Sequence, residues 1–380
     1  MERYLENQII SDLQKKMVFI GGPRQVGKTT LSRKLATNNQ SYLNWDDEED
    51  RERILKKNFP VTDLWIFDEI HKYRNWRNLL KGLYDKNNAT KKILVTGSAR
   101  LDLYRRSGDS LQGRYHYLRL HPITLDELSS DSQKDLETLF TLGGFPEPFL
   151  GGNHVDAKRW SREYRQRILR DDISSIETIS DITSAEILML RLPELVGGTL
   201  SINSLQEDMQ TSFKTIQRWL TIFEHCYAIY RLRCFGGPTI KALKKAQKHY
   251  HFDWTLIQDI GLRFENLCAG HLLKWCNFFE DIHGRDLELC YYRDNEQREV
   301  DFVVTENKKP ILFVEAKSSE KTISPHLKFL KRKFPNVPAF QVLYQGGHHF
   351  ASGEGIIVGP ARLMFSELKK IIEDGVPPTL

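Results

Sequence analysis

Gly22-Pro23-Arg24-Gln25-Val26-Gly27-Lys28-Thr29 follows an apolar run at residues 18–20 and leads into a helical pattern that starts near Thr29. The spacing, GxxxxGK[ST], is that of a phosphate cradle, and the strand before it and the helix after it are the setting the pattern needs. The two glycines let the backbone N–H groups of residues 22–30, through Thr30, turn inward toward phosphate oxygens, and the helix N-terminus adds its dipole. Lys28 is expected to reach the β- and γ-phosphates, and Thr29 to hold Mg²⁺ through its hydroxyl. The second half of such a site follows at Leu64-Trp65-Ile66-Phe67-Asp68-Glu69. Four apolar residues make a buried parallel strand that delivers two carboxylates to the phosphate crevice. Asp68 is expected in the Mg²⁺ shell and Glu69 beside the attacking water. Ile93-Leu94-Val95-Thr96-Gly97-Ser98 ends another strand in hydroxyls, where Thr96 or Ser98 would sense the γ-phosphate or merely cap a helix.

A different chemistry is written near the C-terminus. Residues 298–305 and 311–317 read as two strands joined by a loop over residues 306–310. Pairing Thr305 with Ile311 sets Asp301 opposite Glu315 and Glu299 opposite Lys317. Opposed carboxylates about 5 Å apart repel one another. A divalent cation between Asp301 and Glu315 turns the repulsion into coordination. Lys317 shares Glu315's face and would orient or deprotonate a water, while Glu265, on the preceding helical run, offers a third carboxylate.

These residues need scaffolds. Short β-rich runs at residues 17–20, 42–45, 64–67 and 93–96 alternate with helical patterns, which argues for a parallel sheet wrapped by helices. Past His121-Pro122 the chain turns mostly helical, and residues 157–177 read as a charged helix that links or lids the first domain. Residues 201–232 read as three short helices and the start of a strand. Beyond Phe264 a helix precedes a strand-rich α/β segment.

The segment 204–220 reads as helix, tight turn, helix. Phe213, Ile216, Leu220 and Phe223 would face a core, leaving Lys214, Gln217, Arg218 and Thr221 outward, as major-groove reading requires. Residues 227–232 would supply a wing strand. Such modules also serve as packing or oligomerisation units. Residues 201–250 carry eight Lys/Arg against three acids, an excess equal to the whole chain's net charge of +5. Local concentration of that kind favours a polyanionic partner such as DNA.

Other classes are excluded or disfavoured. At 380 residues the chain is too long for one core. It has no apolar run long enough to span a membrane, and no signal peptide is visible at its start. Its five cysteines are odd in number and lack CxxC spacing, which argues against a disulfide framework or structural zinc and fits a reducing cytoplasm. The pair His348-His349 lacks a nearby third ligand, and Asp171-Asp172 reads as an exposed helix end.

In order along the chain, GGPRQVGKTT, LWIFDEIHK, ILVTGSAR, LQGRYHYLRLHPIT and TLGGFPEPF resemble prokaryotic AAA-type ATPases that carry a C-terminal domain of unknown function. The resemblance continues through SLQEDMQTSFKTIQRWLTIFEHCYAIYRL, HYHFDWTLIQDIGLRFENL and REVDFVV…ILFVEAKSS. It implies ATP as the nucleotide and Arg114 as an arginine finger reaching a neighbouring copy in a homo-oligomer, unless Arg114 forms a salt bridge within its own domain. The D…ExK arrangement is similar to the PD-(D/E)xK nuclease superfamily, although Glu299-Val300 rather than proline precedes Asp301. The expected architecture is α/β: a P-loop NTPase (AAA-type) domain over 1–125, a helical lid or linker over 126–185, a winged helix over 186–250, and a restriction-endonuclease-like α/β domain over 251–380. The expected activity is a Mg²⁺-dependent ATPase acting on DNA, with hydrolysis driving remodelling or gating cleavage. The alternative is a regulatory or defence ATPase whose C-terminal domains cut nothing.

Overall fold

Short apolar runs, each followed by a stretch able to form a helix, build the amino-terminal third. The computed structural model describes residues 1–36, 41–87, 90–97, 111–128, 132–173, 182–236, 247–319, 322–347 and 349–374. It opens with α1 (Glu6–Asp12), β1 (Met17–Gly21), α2 (Lys28–Leu35), β2 (Tyr42–Asn44) and α3 (Glu48–Leu55). These are followed by β3 (Leu64–Asp68), α4 (Trp76–Asn87), β4 (Lys92–Thr96) and β5 (Tyr115–Arg119). The five strands form one parallel sheet in the order β2-β3-β4-β1-β5. Every residue of β1 and β3 is buried, as strands covered on both faces must be. Side chains two apart share a face: Val18, Ile20, Ile66 and Leu94 pack into the core that continues into the rest of the chain. Phe19, Trp65, Phe67 and Val95 pack into a separate core on the other face. The carboxyl ends of β1 and β3 bring the phosphate-cradle loop and Asp68 to one edge of the sheet.

The middle of the chain is helical, with α5 (Gln133–Leu142), α6 (Pro146–Gly151), α7 (His154–Arg167) and α8 (Ile182–Arg191). Next come α9 (Ile202–Met209) and α10 (Phe213–His225), two helices where three short ones were expected. The turn between them passes through Gln210 at φ +49°, and Ser212 caps α10 by accepting from the amide of Thr215. Ile216, Leu220 and Phe223 are buried as the spacing requires, but Phe213 is 42% exposed. It occupies the first turn, ahead of the buried stripe, which Trp219 and Ile222 complete instead.

The remainder contains β6 (Ile229–Phe235), β7 (Lys248–His251), α11 (Ile260–His283), β8 (Leu287–Arg293), β9 (Glu299–Glu306) and β10 (Lys309–Lys317). It ends with α12 (Pro325–Lys333), β11 (Ala339–Leu343), β12 (Phe350–Ala351), β13 (Ile356–Pro360) and α13 (Ala361–Asp374). Eight strands join in the order β12-β13-β11-β10-β9-β8-β6-β7. The strand expected as a wing is therefore part of this large sheet: β6 pairs antiparallel with β7 and parallel with β8. The expected boundary at residue 250 falls inside β7.

A polar stripe on α11 fastens this part to the first. His271, Lys274, Asn277 and Asp281 recur every three or four residues, and each meets the segment that follows β5. His271 Nε2 accepts from the amide of Leu125 at 3.1 Å. Lys274 Nζ donates to Thr124 Oγ1 at 2.5 Å, Asp126 Oδ2 at 2.7 Å and Glu127 Oε1 at 3.2 Å. Asn277 meets His121 at 2.9 Å, and Asp281 pairs with Arg119 at 2.6 Å. The expected boundary at residue 125 lies within this interface. Among the described residues no helix is long and apolar enough to cross a membrane.

Candidate functional site: a nucleotide crevice and a carboxylate cluster

The cradle loop bends as its glycines allow. Gly22 has φ +137°, Gln25 φ +60° and Gly27 φ +99°. A Cβ on Gly22 would lie 2.2 Å from the carbonyl oxygen of Leu120, so only glycine fits. Gly22→Ala is expected to abolish the heat of nucleotide binding in calorimetry while leaving the far-ultraviolet circular dichroism unchanged. Lys28, the first residue of α2, folds back so that Nζ donates to the carbonyls of Gly22 at 2.9 Å and Pro23 at 2.6 Å. Val26 points its side chain into the core rather than the crevice, and its carbonyl accepts from Arg3 Nη1 at 2.9 Å.

Asp68 ends β3 and is fixed by three hydroxyls. Thr29 Oγ1 donates to its Oδ2 at 2.9 Å, Thr96 Oγ1 to its Oδ1 at 2.6 Å, and the Tyr42 hydroxyl also donates to Oδ2. Burial first, and then its bond to Asp68, raise the Tyr42 pKa and keep the phenol a donor. Glu69 follows with φ +55°, its carboxylate 3.3 Å from Lys72 Nζ and 3.7 Å from His71 Nε2. Lys72 in turn pairs with Asp46 at 2.5 Å.

Arg24, Gln25, Gly27, Lys28, Thr29, Thr30, Asp68 and Glu69 line one cavity of about 710 Å³. Its remaining walls come from Arg33, Tyr42, Asn44, Asp46, Lys72 and, from α6, Pro146, Glu147 and Leu150. This donor set fits a Mg²⁺–nucleoside triphosphate: a turn only glycine can make, an ammonium at the loop, and a hydroxyl and a carboxylate 2.9 Å apart. The structure thus gathers the expected residues and adds Tyr42, Arg33 and Lys72. The signal for Tyr42 was available, since β2 beside β3 places Asn44 against Asp68, and Tyr42 shares the face of Asn44. Ser98 lies outside the described residues. Arg114 does not join its own chain's crevice; it pairs with Asp85 at 2.7 Å, next to the N-terminal end of β1, where its carbonyl accepts from the amide of Met17. Lys214, Gln217 and Arg218 are all exposed on α10.

At the second site the hairpin turn is tighter than expected. Only Asn307 and Lys308 form it, both at positive φ, and Thr305 pairs with Pro310 rather than Ile311. A one-residue bulge before Leu312 then restores the expected register, with Val304 opposite Leu312 and Phe302 opposite Val314. Asp301 and Glu315 consequently face each other: Asp301 Oδ2 accepts from the amide of Ala316 at 2.9 Å, and Glu315 Oε2 from that of Asp301 at 3.4 Å. Lys317 Nζ is 2.7 Å from Glu315 Oε1. Glu265, on α11, bonds to Lys248 and Tyr250. Burial and the nearby Asp301 push the carboxyls of Glu265 and Glu315 above the usual carboxylate range. The expected metal set of Glu265, Asp301 and Glu315 is not assembled: among the described residues no three His, Cys, Asp or Glu side chains are grouped to hold an ion.

Comparison with known proteins agrees with the first site. Residues 14–129 match the family model of an AAA domain. Residues 133–264 and 260–364 match two models described as domains of unknown function, DUF8612 and DUF4143. The first third is therefore an AAA-type ATPase domain, and the rest belongs to regions without assigned function. Two relatives are the uncharacterized protein Rv2008c of Mycobacterium tuberculosis, 23% identical over 91% of this chain and 80% of its own length, and the uncharacterized protein MJ1637 of Methanocaldococcus jannaschii, 22% identical over 72% and 68%. Among solved structures, Thermotoga maritima RuvB overlaps 60% of this chain and 88% of its own at 15% identity and a TM-score of 0.29. Aeropyrum pernix Orc1, solved in complex with DNA, overlaps 71% and 93% at 12% identity and 0.33.

Proposed function

We propose that this chain is a Mg²⁺-dependent ATPase acting on DNA as a switch or motor, in which the state of the nucleotide sets the state of the C-terminal parts. The observation that carries this reading is the convergence of Lys28, Thr29, Asp68 and Glu69 on one cavity at the carboxyl ends of parallel strands. Bound by Thr29 and Asp68, Mg²⁺ supplies positive charge to the phosphate oxygens. Lys28 leaves the carbonyls of Gly22 and Pro23 to bind the phosphates. Thr96 and Tyr42 hold the Asp68 carboxylate in orientation, and Glu69 orients a water and accepts its proton. Arg114, once released from Asp85, serves the crevice of a neighbouring copy in a homo-oligomer.

DNA as the partner is supported by the outward Lys214, Gln217 and Arg218 of α10 and by the charge excess around them. The test is the ATP turnover rate with and without duplex DNA. Stimulation by DNA is expected, and the double variant Lys214→Glu, Arg218→Glu is expected to lose it and to flatten the salt dependence of binding by a slope of about two. Indifference of the rate to every nucleic acid favours the second reading, an ATPase with a C-terminal module that binds but does not cut. The lysine pairing of the carboxylate cluster supports that module.

A further inference from the structure

Four acidic side chains converge under the first turns of α11: Glu265 from the helix, Glu299 and Asp301 from β9, and Glu315 from β10. In a poorly solvated interior such a set repels itself, and hydrolytic sites answer the repulsion with divalent metal. Here the chain answers with its own side chains. Lys248, at the start of β7, is 1% exposed. Its Nζ lies 2.6 Å from Glu299 Oε1 and 3.3 Å from Glu265 Oε1. Tyr250, two residues on and so on the same face of the strand, donates its hydroxyl to that same Glu265 oxygen at 2.6 Å. Lys317 serves Glu315 at 2.7 Å, and a backbone amide serves Asp301 at 2.9 Å.

We propose that Lys248 is the resident cation of this cluster, and that the C-terminal domain is a metal-independent binding module rather than a metal-dependent phosphodiesterase. The proposal rests on the second reading above for the C-terminal domain and is independent of the ATPase site. The difference is chemical. An ammonium neutralises carboxylates as a metal does, but it has no open coordination position, cannot bind a water as a Lewis acid, and cannot make that water a nucleophile at neutral pH. Lys248 also draws Glu265 and Glu299 to itself, so Asp301 and Glu315 are left without a third carboxylate. A metal entering the cluster would have to strand a buried ammonium, which is a strong barrier to its binding.

The experiment is a Mn²⁺ titration of the nucleotide-free full chain, followed by electron paramagnetic resonance, for the wild type, Asp301→Asn, Lys248→Ala and the double variant. Wild type and Asp301→Asn are expected to titrate identically. Lys248→Ala is expected to gain a site with affinity raised about tenfold or more, lost again in the double variant. An Asp301-dependent Mn²⁺ site in the wild type overturns the proposal, as does a folded Lys248→Ala chain that gains none. If Lys248→Ala fails to fold, the comparison of wild type with Asp301→Asn decides alone. Failure of the ATPase reading shows elsewhere, in ATP turnover, which this titration does not measure.

Discussion

Glu69→Gln is expected to lower ATP turnover by about two to four orders of magnitude while leaving nucleotide binding intact. The amide keeps the shape of the side chain and its bond to Lys72 but cannot accept the proton of the attacking water. Asp68, which carries the Mg²⁺ contact, is untouched because its three hydroxyl donors come from Thr29, Thr96 and Tyr42. Single-turnover hydrolysis beside calorimetric ATP binding separates the two effects. Equal loss of both would mean that Glu69 holds the loop rather than the water, and wild-type turnover in the variant would remove Glu69 from the chemistry. Lys28→Met serves as the contrast, since it is expected to lose binding itself.

Lys274→Met is expected to destabilise the folded chain by about 3–5 kcal/mol, read as a lowered urea midpoint. Lys274 is 0% exposed, and its ammonium is the shared partner of Asp126 and Glu127. Methionine preserves the volume but leaves two buried carboxylates short of charge. Arg3 alone then remains with Glu127, at 2.7 Å. The exposed pair of Lys34 and Glu6 gives the comparison: at the same 2.7 Å, but with Lys34 half in water, Lys34→Ala is expected to cost less than about 1 kcal/mol. A small effect of Lys274→Met would show that the two parts of the chain are not held together by this cluster.

The nucleotide crevice was legible because its residues are close in sequence and carry their own context: a buried strand, two glycines, then a helix start. The same local logic found Asp68 and Glu69 at the end of a second apolar run. The C-terminal hairpin was legible in its facing pairs, although the two-residue turn and the bulge were not; the two departures cancel, so Asp301 still meets Glu315. What stayed hidden depends on contacts distant in sequence. Lys274 and Asp126 are 148 residues apart, and nothing local pairs a helix lysine with a turn carboxylate. Lys248 read as one more charge in a basic segment, because its burial is created by α11 and β9, not by its neighbours. The wing strand was misplaced for a related reason: β6 alternates like any half-buried strand, and only β8, more than fifty residues on, says which sheet claims it.

The stripe on α11 also fixes a length. Glu265 and Lys274 are nine residues apart on one rigid helix, so the carboxylate cluster stands about 14 Å along the axis from the clamp behind the nucleotide loop. One residue added or removed between them would swing the two ends about 100° out of phase and disengage one of them. Descendants of this chain are thus free to lengthen their loops, but the stretch from Glu265 to Lys274 behaves as a ruler whose divisions cannot be re-marked.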